Sequence, residues 1–297
     1  MKTIIYIVCS LSFCLGQTTL YGIDTWTQSG SLGFSGGGYL IDYENNFRNI
    51  GTLINAKRKI KFSTIKYPAT ISSQSILANG KLKSHSLGFK ISRLNYGLFE
   101  GRNIDNQNTG NYSAADINMQ FGYAKATKSN RLNFGIVGGV FLSRLEESTA
   151  RAITLSPGMV FNLKYFTAGI ALLNYGKIIK QFGLVKEKMP SSIITSISRK
   201  FLRIPLEMEL DYSYSNSDGR AYTIISGIYR FKNNLLIKAG TSSNRLDQLT
   251  NTSFLRSIFT DLGIGLAYQI DDIMIDINSY SYGTGGLILG LGISVYY

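Results

Sequence analysis

Leu287-Ile288-Leu289-Gly290-Leu291-Gly292-Ile293-Ser294-Val295-Tyr296-Tyr297 alternates a large apolar side chain with a small or polar one and ends on an aromatic residue. Side chains of a strand alternate faces, so Leu287, Leu289, Leu291, Ile293, Val295 and Tyr297 form one apolar side, and Ile288, Gly290, Gly292, Ser294 and Tyr296 form the other. This is the pattern of a strand with one face in lipid, and Leu291, Ile293, Val295 and Tyr297 are read as a membrane-assembly signal. The competing reading, a terminal strand of a soluble sandwich, is disfavoured by the opposite end of the chain.

There, Met1-Lys2 is a short basic start and Thr3 to Leu15 an apolar stretch too short to span a bilayer. Small residues before Gln17 fit a cleavage site, so residues 1–16 are expected to be a signal peptide. A lipoprotein acylated at Cys14 is the alternative, opposed by the bulky Phe13. Both cysteines, Cys9 and Cys14, fall in this segment, so the mature chain is expected to lack disulfides and thiol chemistry.

Composition fits a barrel. Mean hydropathy is +0.03 and aromatic content 12%, and no apolar run after the signal approaches the ~20 residues of a spanning helix. Lipid contact must then come from alternating strands. The net charge is +13, but the basic residues are dispersed over 57–59, 81–83, 125–131 and 177–188, at expected turns and loops. A rim facing anionic headgroups explains this better than nucleic acid, which is not expected as a partner.

Alternation recurs along the chain. Ile117, Met119, Phe121 and Tyr123 oppose Asp116, Asn118, Gln120 and Gly122, and Leu206, Met208 and Leu210 oppose Glu207, Glu209 and Asp211. Strands are predicted at 58–68, 71–79, 82–96, 113–127, 131–145, 150–162, 164–174, 191–200, 204–215, 220–231, 233–241, 260–270, 271–281 and 286–297. That makes an all-β fold, a transmembrane antiparallel β-barrel of about 14 strands in residues 58–297. Counted back from a periplasmic C-terminus, short turns such as Asn79-Gly80 and Lys128-Ser129-Asn130 fall on one side, and the long connections 97–112, 175–190 and 242–259 on the other. Residues 17–57 are expected to form an N-terminal plug, since the run from Gly30 to Tyr39 can fold compactly and so wide a barrel needs filling. A disordered periplasmic tail is the alternative.

Leu94-Asn95-Tyr96-Gly97-Leu98-Phe99-Glu100-Gly101-Arg102, followed by Gly110-Asn111-Tyr112-Ser113-Ala114-Ala115-Asp116, resembles the PorV/PorQ family of FadL-like outer-membrane barrels. Ser143-Arg144-Leu145, Leu173-Asn174-Tyr175-Gly176, Lys186 to Pro190 and Ile204-Pro205-Leu206-Glu207 continue the resemblance in order. One departure is Asn49-Ile50-Gly51, which stands where the family has asparagine-proline-alanine. The resemblance implies a component of type IX secretion in the outer membrane of a Gram-negative bacterium. Its partners would be lipid, the C-terminal domains of secreted cargo and the secretion machinery. FadL-like relatives instead move hydrophobic small molecules, the alternative function. Fold analogy does not choose between them.

Catalysis is not expected. His85 is the only histidine, on the outward face with Leu87 and Phe89, while Ser84 and Ser86 point away from it. Neither a metal site nor a cofactor is expected. Asn95, Tyr96, Gly97, Glu100 and Asp116 are candidates for partner binding or loop anchoring, with Asp116 closing the loop by accepting backbone N–H bonds. Lys90, Glu207, Glu209, Asp211, Lys238 and Asp276 are expected to face the lumen. Their charges would be balanced by plug residues such as Arg48 or Lys57, or by solvent. Plain hydration of a wide lumen is set beside a ligand site.

Overall fold

The computed structural model describes residues 20–82, 85–183, 187–217, 219–245 and 260–297. The expected signal peptide, Ser84, Lys186 and most of the 242–259 connection lie outside the described residues. The strand segments are β1 (Lys59–Lys66), β2 (Ser72–Leu82), β3 (His85–Arg102), β4 (Asn108–Ala126), β5 (Leu132–Leu145), β6 (Ser148–Asn162), β7 (Thr167–Leu173), β8 (Tyr175–Lys180), β9 (Ser192–Lys200), β10 (Leu206–Ser215), β11 (Ala221–Arg230), β12 (Leu235–Ser242), β13 (Leu262–Ile270), β14 (Ile273–Ser281) and β15 (Leu287–Tyr296). Each pairs antiparallel with its neighbours, and β1 pairs with β15 in the register Lys59↔Tyr296 to Lys66↔Leu289, which closes the ring.

β7 and β8 are two halves of one barrel strand, because both pair with β6. The barrel is therefore fourteen-stranded among the described residues, as the alternation predicts. The interruption has a local cause. Pro157 in β6 has no N–H to give the ladder, and pairing with β7 stops at Gly158↔Ala171 before resuming at Leu155↔Tyr175. Between them Asn174 bulges with φ +54°, and its N–H donates to Ser156 Oγ at 2.9 Å instead.

Alternation sorts side chains as the sequence implies. Along β15, Leu287, Leu289, Leu291, Ile293 and Val295 are exposed, while Ile288, Gly290 and Ser294 are buried. Phe62, Ile76, Phe121, Ile153, Leu210 and Ile275 continue the exposed apolar band around the wall. Among the described residues no helix is long and apolar enough to cross a membrane.

Three boundaries differ from those expected. β2 runs through Asn79-Gly80 to Leu82, because Asn79 and Gly80 still pair with Gly88 and Leu87. The 97–112 connection is mostly strand. After an irregularity at Asn95/Leu98, where Gly97 takes φ +95°, β3 and β4 keep pairing to Arg102↔Asn108. They rise as a two-stranded ribbon beyond the last β4–β5 pair, Ala114↔Leu145, and Phe99 stacks on Tyr112 at 5.4 Å. The 175–190 connection likewise begins as β8, held to β6.

Residues 20–57 form short turns, a 3-10 turn at Tyr21–Ile23, one helical turn at Gly30–Gly33 and a 3-10 segment at Ile50–Asn55. They are almost wholly buried and touch inward-facing residues from strands on all sides of the ring. Glycines on the wall permit the approach. A Cβ at Gly240 would lie 2.4 Å from the Phe34 backbone, and one at Gly263 would lie 2.1 Å from the Leu32 carbonyl. One apolar cluster gathers Phe47, Ile50 and Leu53 with Leu77, Ala124 and Val137. Another joins Leu32 to Ile65, Tyr280 and Ile288.

Candidate functional site: the lumen

Inward positions of β1 carry Lys59, Lys61 and Ser63, since Ile60 and Phe62 on the alternate parity face out. Lys59 pairs with Glu44 at 3.0 Å and Lys61 with Asp276 at 3.0 Å. Asp276 also accepts from Ser29 Oγ at 2.6 Å and from the Asn278 amide. Glu44 accepts from Ser294 at 2.6 Å and from Tyr296 at 2.8 Å. Burial alone would raise the Glu44 carboxyl, but Lys59 and Lys61 beside it and these two hydroxyls hold it down at about 2.

The three acids of β10 are matched differently. Glu207 pairs with Arg230 of β11 at 3.0 Å and accepts from the Tyr43 hydroxyl at 3.0 Å. Glu209 accepts the N–H groups of Leu40 and Ile41 at 2.9 Å, and Asp211 accepts from Gly38 N–H at 3.1 Å. Buried carboxylates need such donors, because an unpaired one costs several kcal/mol, on the order of 3 or more. Barrel acids thus hold the backbone of residues 38–41 in place.

All six residues expected in the lumen face inward. The expected balance holds in part, since Arg48 acts electrostatically on Asp211 without an ion pair to it. Arg48 donates to the Gly36 carbonyl and lies 4.1 Å over the Tyr39 ring, and Lys57 lies 5.3 Å over the Tyr296 ring. The ion pairs use Lys59, Lys61 and Arg230 from the wall instead. Those three were legible in principle from the apolar residues beside them, and Glu44 and Ser29 were not, since no periodicity marks an irregular segment. Lys238 is buried 5.5 Å under the Phe34 ring.

The loop-anchoring set divides. Tyr96 donates its hydroxyl to Asp116 at 2.7 Å, but Asp116 does not close the ribbon. It faces inward against Gly22, where a Cβ would fall 1.7 Å from its Oδ2. Asn95 accepts from Gly97 N–H at 3.3 Å, which supports the irregularity. Glu100 is out on the ribbon, paired with Arg102 at 3.2 Å with both side chains largely exposed. It is therefore apart from Asp116. His85 faces outward and hydrogen-bonds Tyr123 at 2.7 Å. Tyr297 donates to the Asn79 carbonyl at 3.3 Å beside the seam.

Between residues 21–48 and the wall lies a cavity of about 300 Å³, lined mainly by hydroxyls, amides and aromatic rings with Arg48 and Lys90. A second depression of about 440 Å³ lies on the outer wall, where Phe62, Ile76, Ile91, Leu291 and Ile293 surround Ser63, Ser75 and Ser92.

No family model matches the sequence, and no curated protein is similar to it at a significant level. Among solved structures, the chain is similar to the TodX monoaromatic hydrocarbon channel in a deltaS2 mutant, with a TM-score of 0.57 at 12% identity. That similarity covers 92% of this chain and 100% of TodX. A FadL homologue of Pseudomonas aeruginosa is similar with a TM-score of 0.54 at 10% identity, over 91% of this chain and 98% of the homologue. This chain has the FadL-like barrel fold. With its closed ring and continuous outward apolar band, the FadL-like barrel is a protein of the Gram-negative outer membrane.

Proposed function

We propose that this FadL-like barrel moves small hydrophobic molecules across the outer membrane, the alternative among the two functions raised by the sequence. The observation that carries the reading is the likeness of the fold, over 92% of the chain, to the TodX monoaromatic hydrocarbon channel. The outer-wall depression supports it. Its floor is made of small residues, Ser63, Ser75 and Ser92, and its sides are apolar. At that place a solute would exchange lumen for lipid at the least steric cost. The test is uptake of a monoaromatic hydrocarbon and of a long-chain fatty acid into vesicles carrying the full chain. Saturable uptake is expected, reduced several-fold by Ile76→Trp, which fills the depression from the lipid side. Uptake no faster than in empty vesicles overturns the reading.

A second reading keeps the PorV/PorQ-type role in type IX secretion. It is favoured by the β3–β4 ribbon, which carries Leu98 76% and Ile104 100% exposed beyond the barrel wall. Apolar side chains held out of the bilayer on a paired ribbon suit a protein partner, a cargo C-terminal domain or a secretion component. Cross-linking from Leu98 and Ile104 in the native membrane, together with cargo retention in a strain lacking the barrel, tests it.

A further inference from the structure

The luminal cavity is polar where a path for hydrophobic solutes would be apolar, and its lining is specific. On the inner faces of β3 and β4, Lys90 stands opposite Gln120 and Ser92 opposite Asn118, so one cation, two amides and a hydroxyl share a single patch of wall. Facing them is Arg48, 8% exposed, its guanidinium carbon 4.1 Å from the centre of the Tyr39 ring. Arg48 Nη1, Asn118 Oδ1 and Gln120 Oε1 are all buried in the cavity lining with no hydrogen-bond partner among the described residues. Folded proteins rarely leave so many polar atoms unmatched in one place without a use for them.

The charges give the sign of the occupant. No described residue pairs with the Lys90 ammonium, and the charged group that acts on it is Arg48, another cation. The single carboxylate in the lining, Asp24, is engaged by the Asn174 amide at 2.6 Å. Asp211 and Asp42, outside the lining, act on Arg48, which leaves the Lys90 ammonium as the cation without a counter-charge, a place an anion would fill. The amides and serines add donors and acceptors suited to hydroxyl groups, and the Trp26 ring adds a flat face in the same lining. The cavity reaches Ser217, past the end of β10 on the rim that carries the longer connections, so it is approached from that side.

We infer that the cavity between Arg48 and the Lys90–Gln120 pair is a binding site for a small, hydroxylated organic anion of the sugar-acid class. The carboxylate sits between the Arg48 and Lys90 side chains, and the hydroxyls meet Asn118, Gln120 and Ser92. This inference does not depend on the transport reading, and its test is separate.

The sole tryptophan of the chain, Trp26, lines the cavity and reports on it directly. D-glucuronate, D-glucose and benzoate are titrated onto the full-length barrel in detergent, read by Trp26 fluorescence and calorimetry. Glucuronate is expected to bind saturably, with glucose at least about tenfold weaker, the size of one lost charge-assisted hydrogen bond. Lys90→Gln should weaken glucuronate by about the same factor and leave glucose unchanged. Lys90 holds no partner, so this variant should remain folded and heat-modifiable, and Gln120→Ala provides an independent second lesion. No saturable glucuronate signal, equal affinity for glucose, or wild-type affinity in both variants overturns the site. Tighter binding of benzoate than of glucuronate overturns the hydroxylated class.

Discussion

Ser29 and Asp276 stand 247 positions apart in the chain and are joined by a hydrogen bond of 2.6 Å. The same carboxylate holds Lys61 of β1 at 3.0 Å, so one residue of β14 ties both the luminal segment and the strand across the seam. Asp276→Ala should leave Lys61 as a buried, unpaired cation and cost about 3–5 kcal/mol. A lowered unfolding temperature by heat-modifiability checks this, and the double variant Asp276→Ala/Lys61→Met should recover part of the loss. Full additivity of the two changes would show that the pair does not couple.

Acid should release the segment in a defined window. Glu44 has a folded pKa of about 2 against an ordinary 4.5, a depressed carboxylate, so its stabilisation is complete above 4.5 and lost as the pH falls toward 2. Trp26 fluorescence followed through that range should show a transition that Glu44→Gln abolishes. A transition unchanged in the variant would assign the acid response to other groups.

Gly22 is packed where no Cβ fits: one added there would lie 1.7 Å from Asp116 Oδ2 and 2.7 Å from the Tyr96 hydroxyl. Gly22→Ala should displace the first turn of the segment and cost ~1–3 kcal/mol. Proteolysis of residues 20–57 should quicken in that variant. Asp116→Ala in the same chain makes room and should restore much of the protection. Asp116→Ala alone should leave the β3–β4 ribbon unchanged, since the ribbon is held by strand pairing and the Phe99–Tyr112 stack.

Deleting Tyr297 should slow assembly and lower the yield of heat-modifiable barrel. The residue donates its N–H to the Arg58 carbonyl and its hydroxyl to the Asn79 carbonyl, each at 3.3 Å. Those are two bonds at the end of the closing seam, worth about 1 kcal/mol each. Wild-type yield and thermal stability in the truncated chain would confine the terminal signal to residues 291–295.

Much of this fold is legible in one dimension because a lipid-facing strand obeys a period of two. Leu287 to Val295, Ile117 to Tyr123 and Leu206 to Leu210 each declare their faces without reference to any other part of the chain. The same parity places Lys90, Glu207, Glu209, Asp211, Lys238 and Asp276 inside. It does not reveal partners. Where pairing stops is also beyond its reach, which is why the β3–β4 ribbon reads as a loop in the sequence. Asn111, Tyr112 and Ser113 carry no alternation, and only the facing strand keeps them extended.

Alternation by itself determined an all-β, antiparallel barrel of this size and the side on which each strand residue lies, since both follow from backbone geometry and the cost of exposing polar groups to lipid. The tertiary structure alone decided how the lumen is filled. That Glu44 meets Lys59, that Glu209 takes the N–H groups of Leu40 and Ile41, and that Asp116 seats Gly22 depend on the path of an irregular segment. Such a path has no period to read. It is fixed by which buried donors and acceptors satisfy one another once the ring has closed.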